Sequence, residues 1–295
     1  MRLKDIIYEC RPHQYLKNSF VLIGPMFYAK WDFRILCQTL LVFVAFSAMA
    51  SAVYWINDIF DVDLDRLHPT KRQRPIAAKR ISITFAYRFV FILFLISTLI
   101  SYTVSYWALS FIIGYAAINI LYSLKWKHVP VIDVFIISFG FMLRILAGTM
   151  GLGITTSSWL VLCGLMLTLF LGFSKRQAEL MSINDHPDRN KLLSRKVLDD
   201  YSPAMIEQFM AISAACTIIS YSLYTVSQET ITKHHTSDLF YTVPFVIYGI
   251  FRYIYLLHKK NGGQDTARDL LFDRHMLITG ISWIILTTII LTTAR

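Results

Sequence analysis

The chain has 295 residues, of which 55% are hydrophobic and only 16% charged, whereas soluble domains carry roughly 25% charged residues. Its formal net charge is +10. This balance excludes an ordinary soluble globular domain, and it calls for a topological explanation of the basic excess before nucleic acid is considered.

The first twenty residues, MRLKDIIYECRPHQYLKNSF, carry charge throughout and contain no apolar core followed by a small-residue cleavage site, so no cleaved signal is expected. A short apolar block at 19–29, interrupted by Pro25, reads as a weak ninth span. Continuous apolar blocks occupy 35–57, 83–104, 107–124, 130–150, 157–174, 203–226, 239–257 and 276–294. Each is about long enough to cross a bilayer as a helix, and lipid demands an element that satisfies its own backbone. The expected fold is therefore all-α: a polytopic bundle of about nine transmembrane helices, forming one membrane domain over 1–295. No internal repeat or low-complexity tract interrupts it. Cys10, Cys37, Cys163 and Cys216 show no metal-like or CxxC spacing and read as small passive hydrophobes.

The basic residues orient the bundle. With the N-terminus inside, the N-terminal segment and the loops 58–82, 125–129, 175–202 and 258–275 hold 22 of the 29 Lys and Arg residues. This asymmetry places those loops in the cytoplasm. It accounts for most of the net charge and leaves no need for nucleic-acid binding; anionic lipid heads would also suit such a surface. His234 and His235 fall on the opposite side and are assigned no role.

The stretch WINDIFDVDLDRLHPTKRQRPIAA, 55–78, concentrates charge where one span ends and the next has not begun. Asp58, Asp61 and Asp65 are spaced i, i+3, i+7, which places them on one helical arc with Asn57 beside them, while Asp63 points elsewhere. Carboxylates gathered in this way suit Mg²⁺, which commonly bridges one or two of them to a substrate's phosphates. Pro69 and Pro75 bracket a turn, and Lys71, Arg72 and Arg74 are placed to bind phosphate oxygens. A solvated loop of balanced charges is the competing reading.

Other charged positions carry weaker signals. Lys175 and Arg176 end a span on the same side as the aspartates, and Glu179 stands i+4 from Lys175, so a phosphate site and a plain helix salt bridge both fit. Tyr122, Lys125 and Asp133 flank the short loop 125–129, and Lys127 lies within it; Asp133 fits either a ligand or a structural partner of Lys125. Arg144 falls deep in a span, where insertion costs on the order of 2.5–3.5 kcal/mol, so it is expected to face inward with a partner.

The segment NDIFDVDLDRLHPTKRQRPIAA resembles the NDxxDxxxD…RP signature of the UbiA superfamily of intramembrane prenyltransferases. Its HPTKRxRPIAA continuation is similar to the decaprenyl-phosphate phosphoribosyltransferase branch. So are YSLKWKHVPVIDVFIISFGFMLRILAG at 122–148, SKRQAEL at 174–180, RKVLDDYS at 195–202 and PFVIYGIFRYIYLLH at 244–258, with LLFDRHM at 270–276 the faintest match. Two departures stand out. The second acidic motif of the aromatic prenyltransferases, DxxxD, is missing from 175–202, which offers only Glu179, Asp185 and Asp188. Lys79 replaces the usual glycine of RPIAAG.

The resemblance implies transfer of a 5-phosphoribosyl group from 5-phosphoribosyl 1-diphosphate to a membrane polyprenyl phosphate, with release of diphosphate. It implies Mg²⁺, with Mn²⁺ as a substitute, held by Asn57, Asp58, Asp61 and Asp65, of which the three aspartates are catalytic. Donor phosphates would meet Lys71, Arg72, Arg74, Lys125, Lys175 and Arg176, with Tyr122, Asp133, Arg144 and Glu179 as further substrate contacts. It also implies a bacterial-type inner membrane, a cytoplasmic active site and a place in supplying cell-wall arabinan precursors. Two alternatives stay open: prenyl transfer to an aromatic acceptor such as 4-hydroxybenzoate, and transport of an anionic solute.

Overall fold

The computed structural model describes residues 2–28, 32–185, 196–260 and 272–294, and every regular element among them is helical. The principal helices are α1 (Leu3–Cys10), α2 (Ile23–Tyr28), α3 (Phe33–Phe60), α4 (Val62–Leu67), α5 (Ile83–Val104), α6 (Tyr106–Leu124), α7 (Ile132–Ala147), α8 (Ser158–Asp185), α9 (Pro203–Val226), α10 (Gln228–His234), α11 (Val243–Lys260) and α12 (Arg274–Thr293). Their starts follow local chemistry. Asp32, Ser82, Ser105, Ser202, Ser227 and Asp273 each turn a side-chain oxygen onto the backbone N–H three residues on, satisfying a donor the helix leaves orphaned.

Eight helices among the described residues are long and apolar enough to cross a bilayer. Together they make this a multi-pass membrane protein. Within α5 only 11% of the apolar window is buried, which leaves Phe91, Leu95 and Leu99 facing outward as lipid-facing side chains do.

The weak block at 19–29 takes a different form from the other spans. Pro12–Leu22 is an eleven-residue 3-10 helix that leads into α2. At about 2 Å per residue for the first and 1.5 Å for the second, the two rise roughly 31 Å, close to the thickness of the hydrocarbon core. Long 3-10 runs are uncommon because their hydrogen-bond geometry is poor. This one has outside support along α3. Tyr15 pairs with Ser51, the Asn18 amide donates to Ser47, and Gly24 lies so close to Gly148 that a Cβ there would sit 2.1 Å from the Gly148 carbonyl oxygen. Residue numbers rise along this segment as they fall along α3, so the two run antiparallel.

The chain divides into two compact units. The first comprises Met1–Pro25, Lys30–Lys127 and Leu143–Ile154. Its core joins Val42, Phe46, Met49 and Val53 of α3 to Ile112 and Tyr115 of α6. Small residues let the helices approach closely, and the Ser97 hydroxyl donates to the Ala45 carbonyl 2.7 Å away. A second cluster, Trp55, Ile59, Val62, Ile76 and Ile81, packs against Ile6 and Cys10 of the N-terminal segment.

The second unit comprises Met26–Ala29, His128–Met142 and Thr155–Arg295. Its core is built from Leu169, Phe170 and Phe173 of α8, Ile206 and Met210 of α9, and Ile250, Tyr253 and Leu257 of α11. The helix α8 does not stop where its apolar block ends near residue 174, as the sequence reading has it, but continues to Asp185. Ala178 and Leu180 stay buried past that point, within the same core.

Candidate functional site

In the first unit the site forms where α3 gives way to α4. Asp61 interrupts the helix only slightly: its N–H still reaches the Asn57 carbonyl, and the Asp65 N–H reaches its own carbonyl at 2.8 Å. The aspartates keep near-helical spacing, but they do not all converge. Asp58 and Asp65 are 3% exposed, and a single nitrogen, Nη1 of Arg74, donates to Asp58 Oδ1 at 2.8 Å and to Asp65 Oδ2 at 2.7 Å. Asp61 turns instead to Lys127 Nζ at 3.2 Å, and the Asn57 side-chain oxygen accepts a short hydrogen bond from Ser123. Asp63 points elsewhere, as expected; it is exposed and pairs with Arg66. The expected one-face constellation thus resolves into a buried pair, Asp58 and Asp65, with Asp61 and Asn57 flanking it.

The N-terminal segment completes this cluster. Arg11, in the left-handed region at φ 52, donates from Nη2 to both carboxylate oxygens of Asp58 at 2.7 and 2.5 Å. Glu9 is 1% exposed, and its Oε1 has no hydrogen-bond partner among the described residues. Burial above all, and then the neighbouring Asp58 carboxylate, push the Glu9 carboxyl up to about 8. Burial also pushes Asp65 up, against the pull of Arg74. Of the expected phosphate-binding cations in this unit, Lys71, Arg72 and Lys125 are exposed, whereas Arg74 is committed to the aspartates. Tyr122 lies half-buried on α6.

Arg144 is also in the first unit, 4% exposed. Its Nε donates to Asn18 Oδ1 at 2.7 Å, its Nη2 to the Tyr115 hydroxyl at 3.1 Å, and its guanidinium lies 4.5 Å from the centre of the Tyr115 ring. This meets the expectation of an inward arginine with partners, and it gives Arg144 the work of bracing the N-terminal 3-10 segment.

The second unit holds a separate buried network. Arg176 is fully buried; its Nε donates to Asp133 Oδ2 at 2.6 Å and its Nη1 to Glu179. Tyr201 accepts the Val131 N–H and donates to the other oxygen of Asp133 at 2.9 Å. Burial and the adjacent carboxylate hold the Tyr201 phenol well above its usual range. Val131 needs that anchor, because it is β-branched and sits at φ 68, a strained position for such a residue. Asp133 is therefore partnered by Arg176 and Tyr201, where the sequence reading offered Lys125, and Glu179 takes Arg176 at i, i+3, where the reading offered Lys175. Arg176, expected from its position as a phosphate ligand, is enclosed here by two carboxylates, and Lys175 beside it is half-buried.

Comparison with known proteins places these two clusters in context. The profile of the UbiA prenyltransferase family matches residues 18–279. The chain belongs to the UbiA prenyltransferase family. It is 34% identical over 289 residues to the decaprenyl-phosphate phosphoribosyltransferase of Corynebacterium glutamicum, covering 95% of this chain and 84% of that one. It is 28% identical over 285 residues to the enzyme of the same name from Mycobacterium tuberculosis, covering 95% and 91%. In three dimensions it is similar to a UbiA homolog from Archaeoglobus fulgidus bound to GPP and Mg²⁺, with a TM-score of 0.71 and 16% identity over 98% and 99% of the two chains.

Several features of this UbiA-family chain now have physical explanations. Lys79, where the RPIAA run would continue with glycine, adopts φ 60, the left-handed conformation that glycine takes without cost. The departure therefore loads the backbone and leaves the site chemistry alone. The two late sequence matches meet in one clip: Arg252 of α11 holds Asp273 through Nε at 3.1 Å and Nη2 at 2.9 Å, and Asp273 caps α12. Within RKVLDDYS the informative residue is Tyr201, which the sequence reading quoted without a role. Glu9 and Arg11 were overlooked as site residues because they precede the motif by nearly fifty positions; the only signal was their charge beside a weak span. Asp188, weighed as part of a second acidic motif, lies outside the described residues.

The donor set fits a divalent cation. Asp58 and Asp65 present hard oxygens to one point, where the Arg74 nitrogen now supplies the positive charge. Among the described residues no three His, Cys, Asp or Glu side chains form a closed metal cage. Mg²⁺ needs none, since it is commonly held by one or two carboxylates together with water and substrate phosphates.

Glu9 gives this arrangement a measurable pH dependence. Between 4.5 and about 8 the folded, metal-free protein holds a proton that the unfolded chain releases, so its stability is expected to fall as pH rises through that window. Glu9→Gln keeps the shape and removes the titration. Thermal inactivation in EDTA should therefore depend less on pH in the variant than in the parent protein, and identical profiles would show that Glu9 does not titrate there.

Proposed function

We propose that this chain transfers a 5-phosphoribosyl group from 5-phosphoribosyl 1-diphosphate to a polyprenyl phosphate in the bilayer, breaking the anomeric carbon–diphosphate bond and forming a carbon–oxygen bond to the lipid phosphate. The observation that carries this reading is the kinship, over nearly the whole chain, with enzymes named decaprenyl-phosphate phosphoribosyltransferase. The first unit supports it with a surplus of cations. Besides Arg11 and Arg74, already bound to carboxylates, it offers exposed Lys71, Arg72 and Lys125. Two anionic substrates need such a surplus.

Asp58 and Asp65 are the residues that would hold Mg²⁺, with Asp61 and Asn57 at hand and Mn²⁺ as a substitute. When bound, the ion supplies Lewis-acid stabilisation of the departing diphosphate. The chain's own residues do the rest. Arg11 and Arg74 fix the orientation of the Asp58 and Asp65 carboxylates. Lys71 and Arg72 donate charge-assisted hydrogen bonds to phosphate oxygens, and fixed cations there stabilise the negative charge that grows on the leaving group. The acceptor is already an anion and requires no strong base. Lys175 is the residue of the second unit proposed to meet an anionic substrate, while Arg176, Asp133, Glu179 and Arg144 are assigned to structure. The bias of Lys and Arg toward one set of loops supports a site facing the cytoplasm, in a bacterial-type inner membrane.

The purified protein should release diphosphate from 5-phosphoribosyl 1-diphosphate only when a polyprenyl phosphate is present. EDTA should abolish the release and Mg²⁺ restore it. Prenylation of 4-hydroxybenzoate from a prenyl diphosphate, with no ribosyl turnover, would replace this reading with aromatic prenyl transfer.

A further inference from the structure

His68 stands among the basic residues of the segment 55–78, and its geometry gives it a role different from theirs. Its ring nitrogen Nδ1 lies 3.2 Å from the backbone nitrogen of Thr70 and 3.3 Å from that of Lys71, and 3.2 Å from the Thr70 hydroxyl. Backbone N–H groups can only donate, so Nδ1 is the acceptor and the ring is neutral, with its proton on Nε2. The His68 carbonyl then accepts the Arg72 N–H at 3.2 Å. The next two amides are satisfied within the turn, Gln73 by the Thr70 carbonyl and Arg74 by that of Lys71. Of the five consecutive amides 70–74, three thus end on His68. Pro69 has no N–H to donate, so the amides of Thr70 and Lys71 are the first donors after His68.

These bonds satisfy the first amides of the short 3-10 turn Lys71–Gln73, whose N-cap residue is Thr70, and His68 reaches them from two residues before that cap. The turn determines where three cations sit. Lys71 and Arg72 project from it into solvent, and Arg74, directly after it, reaches back to Asp58 and Asp65. Partial burial above all, and then the nearby Lys71 charge, oppose protonation of His68.

We propose that His68 is a positioning residue for the diphosphate of the donor: as a neutral Nδ1 acceptor it shapes the turn that presents Lys71, Arg72 and Arg74, and it does not itself contact the phosphates. This rests on the phosphoribosyl reading for the identity of the donor, but not for the hydrogen bonds. Two substitutions separate the roles of the two ring nitrogens. Asn places an oxygen where Nδ1 stands and can accept the same two amides, as asparagine does in its own turns. Gln extends an amide to where Nε2 stands and leaves the Nδ1 position without an acceptor.

The experiment is steady-state kinetics of the full chain in detergent, with 5-phosphoribosyl 1-diphosphate varied at saturating polyprenyl phosphate. His68→Gln and His68→Ala are expected to raise KM for the donor about tenfold, the scale of a lost cap, with a smaller change in kcat. The conservative variant His68→Asn is expected to stay within about threefold of the parent in KM. The reverse order, Gln tolerated and Asn impaired, would mean that Nε2 touches substrate and would overturn the proposal, as would equal behaviour of Asn and Gln. A second measurement needs no substrate. In protein labelled with ¹⁵N-histidine, the His68 signal, assigned by its loss in His68→Asn, should show an unprotonated Nδ1 and a protonated Nε2 at neutral pH. A protonated Nδ1 overturns the proposal even if the donor proves to be a different diphosphate, and turnover failing with the tautomer as expected would indict the donor assignment alone.

Discussion

Asp58→Asn is expected to lower turnover by on the order of 10²–10³, the scale on which removing one group from a preorganised electrostatic site acts. Asp58 accepts from Arg11 through both oxygens and from Arg74 through one, so it is the junction of the N-terminal segment, the α3–α4 break and the basic turn. Asparagine preserves the volume but removes the charge that balances two guanidiniums, and it turns an NH₂ donor toward one of them. Asp65→Asn, which loses only the Arg74 contact, should be impaired in the same direction. Asp63→Asn is the matched control: four-fifths or more of that side chain is exposed, its one partner among the described residues is Arg66, and near-parental turnover is expected. Initial rates of diphosphate release, together with size-exclusion profiles in detergent, separate lost chemistry from lost fold. Parental rates in a well-folded Asp58→Asn protein would remove the buried pair from the mechanism.

Arg176→Ala should act on stability before it acts on rate. The guanidinium is fully enclosed, with Asp133 on one side and Glu179 on the other. Its removal leaves Asp133 buried with Tyr201 as its remaining polar partner in that network, and breaking a buried pair in this way costs about 3–5 kcal/mol. The expected result is a protein that inserts poorly or melts far below the parent. Adding Asp133→Asn to Arg176→Ala should recover part of the loss, because the second change neutralises the charge stranded by the first. Equal melting temperatures for Arg176→Ala and the parent would show that the residue is not a structural tie and would return it to the list of phosphate ligands.

Much of this molecule was legible from residue order. Eight apolar blocks became eight helices because lipid leaves a chain no other way to satisfy its backbone, and the block boundaries at 83–104 and 203–226 match α5 and α9 residue for residue. The family was legible as well, since NDIFDVDLDRLHPTKRQRPIAA is long and specific. Residue spacing also placed Asp58 and Asp65 on one side of a helix and Asp63 on another.

Which charges meet was decided only by tertiary structure. Spacing along one helix ranks neighbours within that helix, yet the partners of Asp58 come from positions 11 and 74, and those of Asp133 from 176 and 201. Such pairings depend on helix packing and loop closure, which hydropathy does not encode. The weak block at 19–29 shows the same limit. Its modest apolar content marks a weak span, but the 3-10 helix Pro12–Leu22 that runs into it is braced by Ser47, Ser51 and Arg144, residues that stand far apart in the chain and compensate a poor local geometry only once folded. His68 is the clearest case. Its residue type reads as a cation, and only the direction of two backbone N–H groups makes it an acceptor.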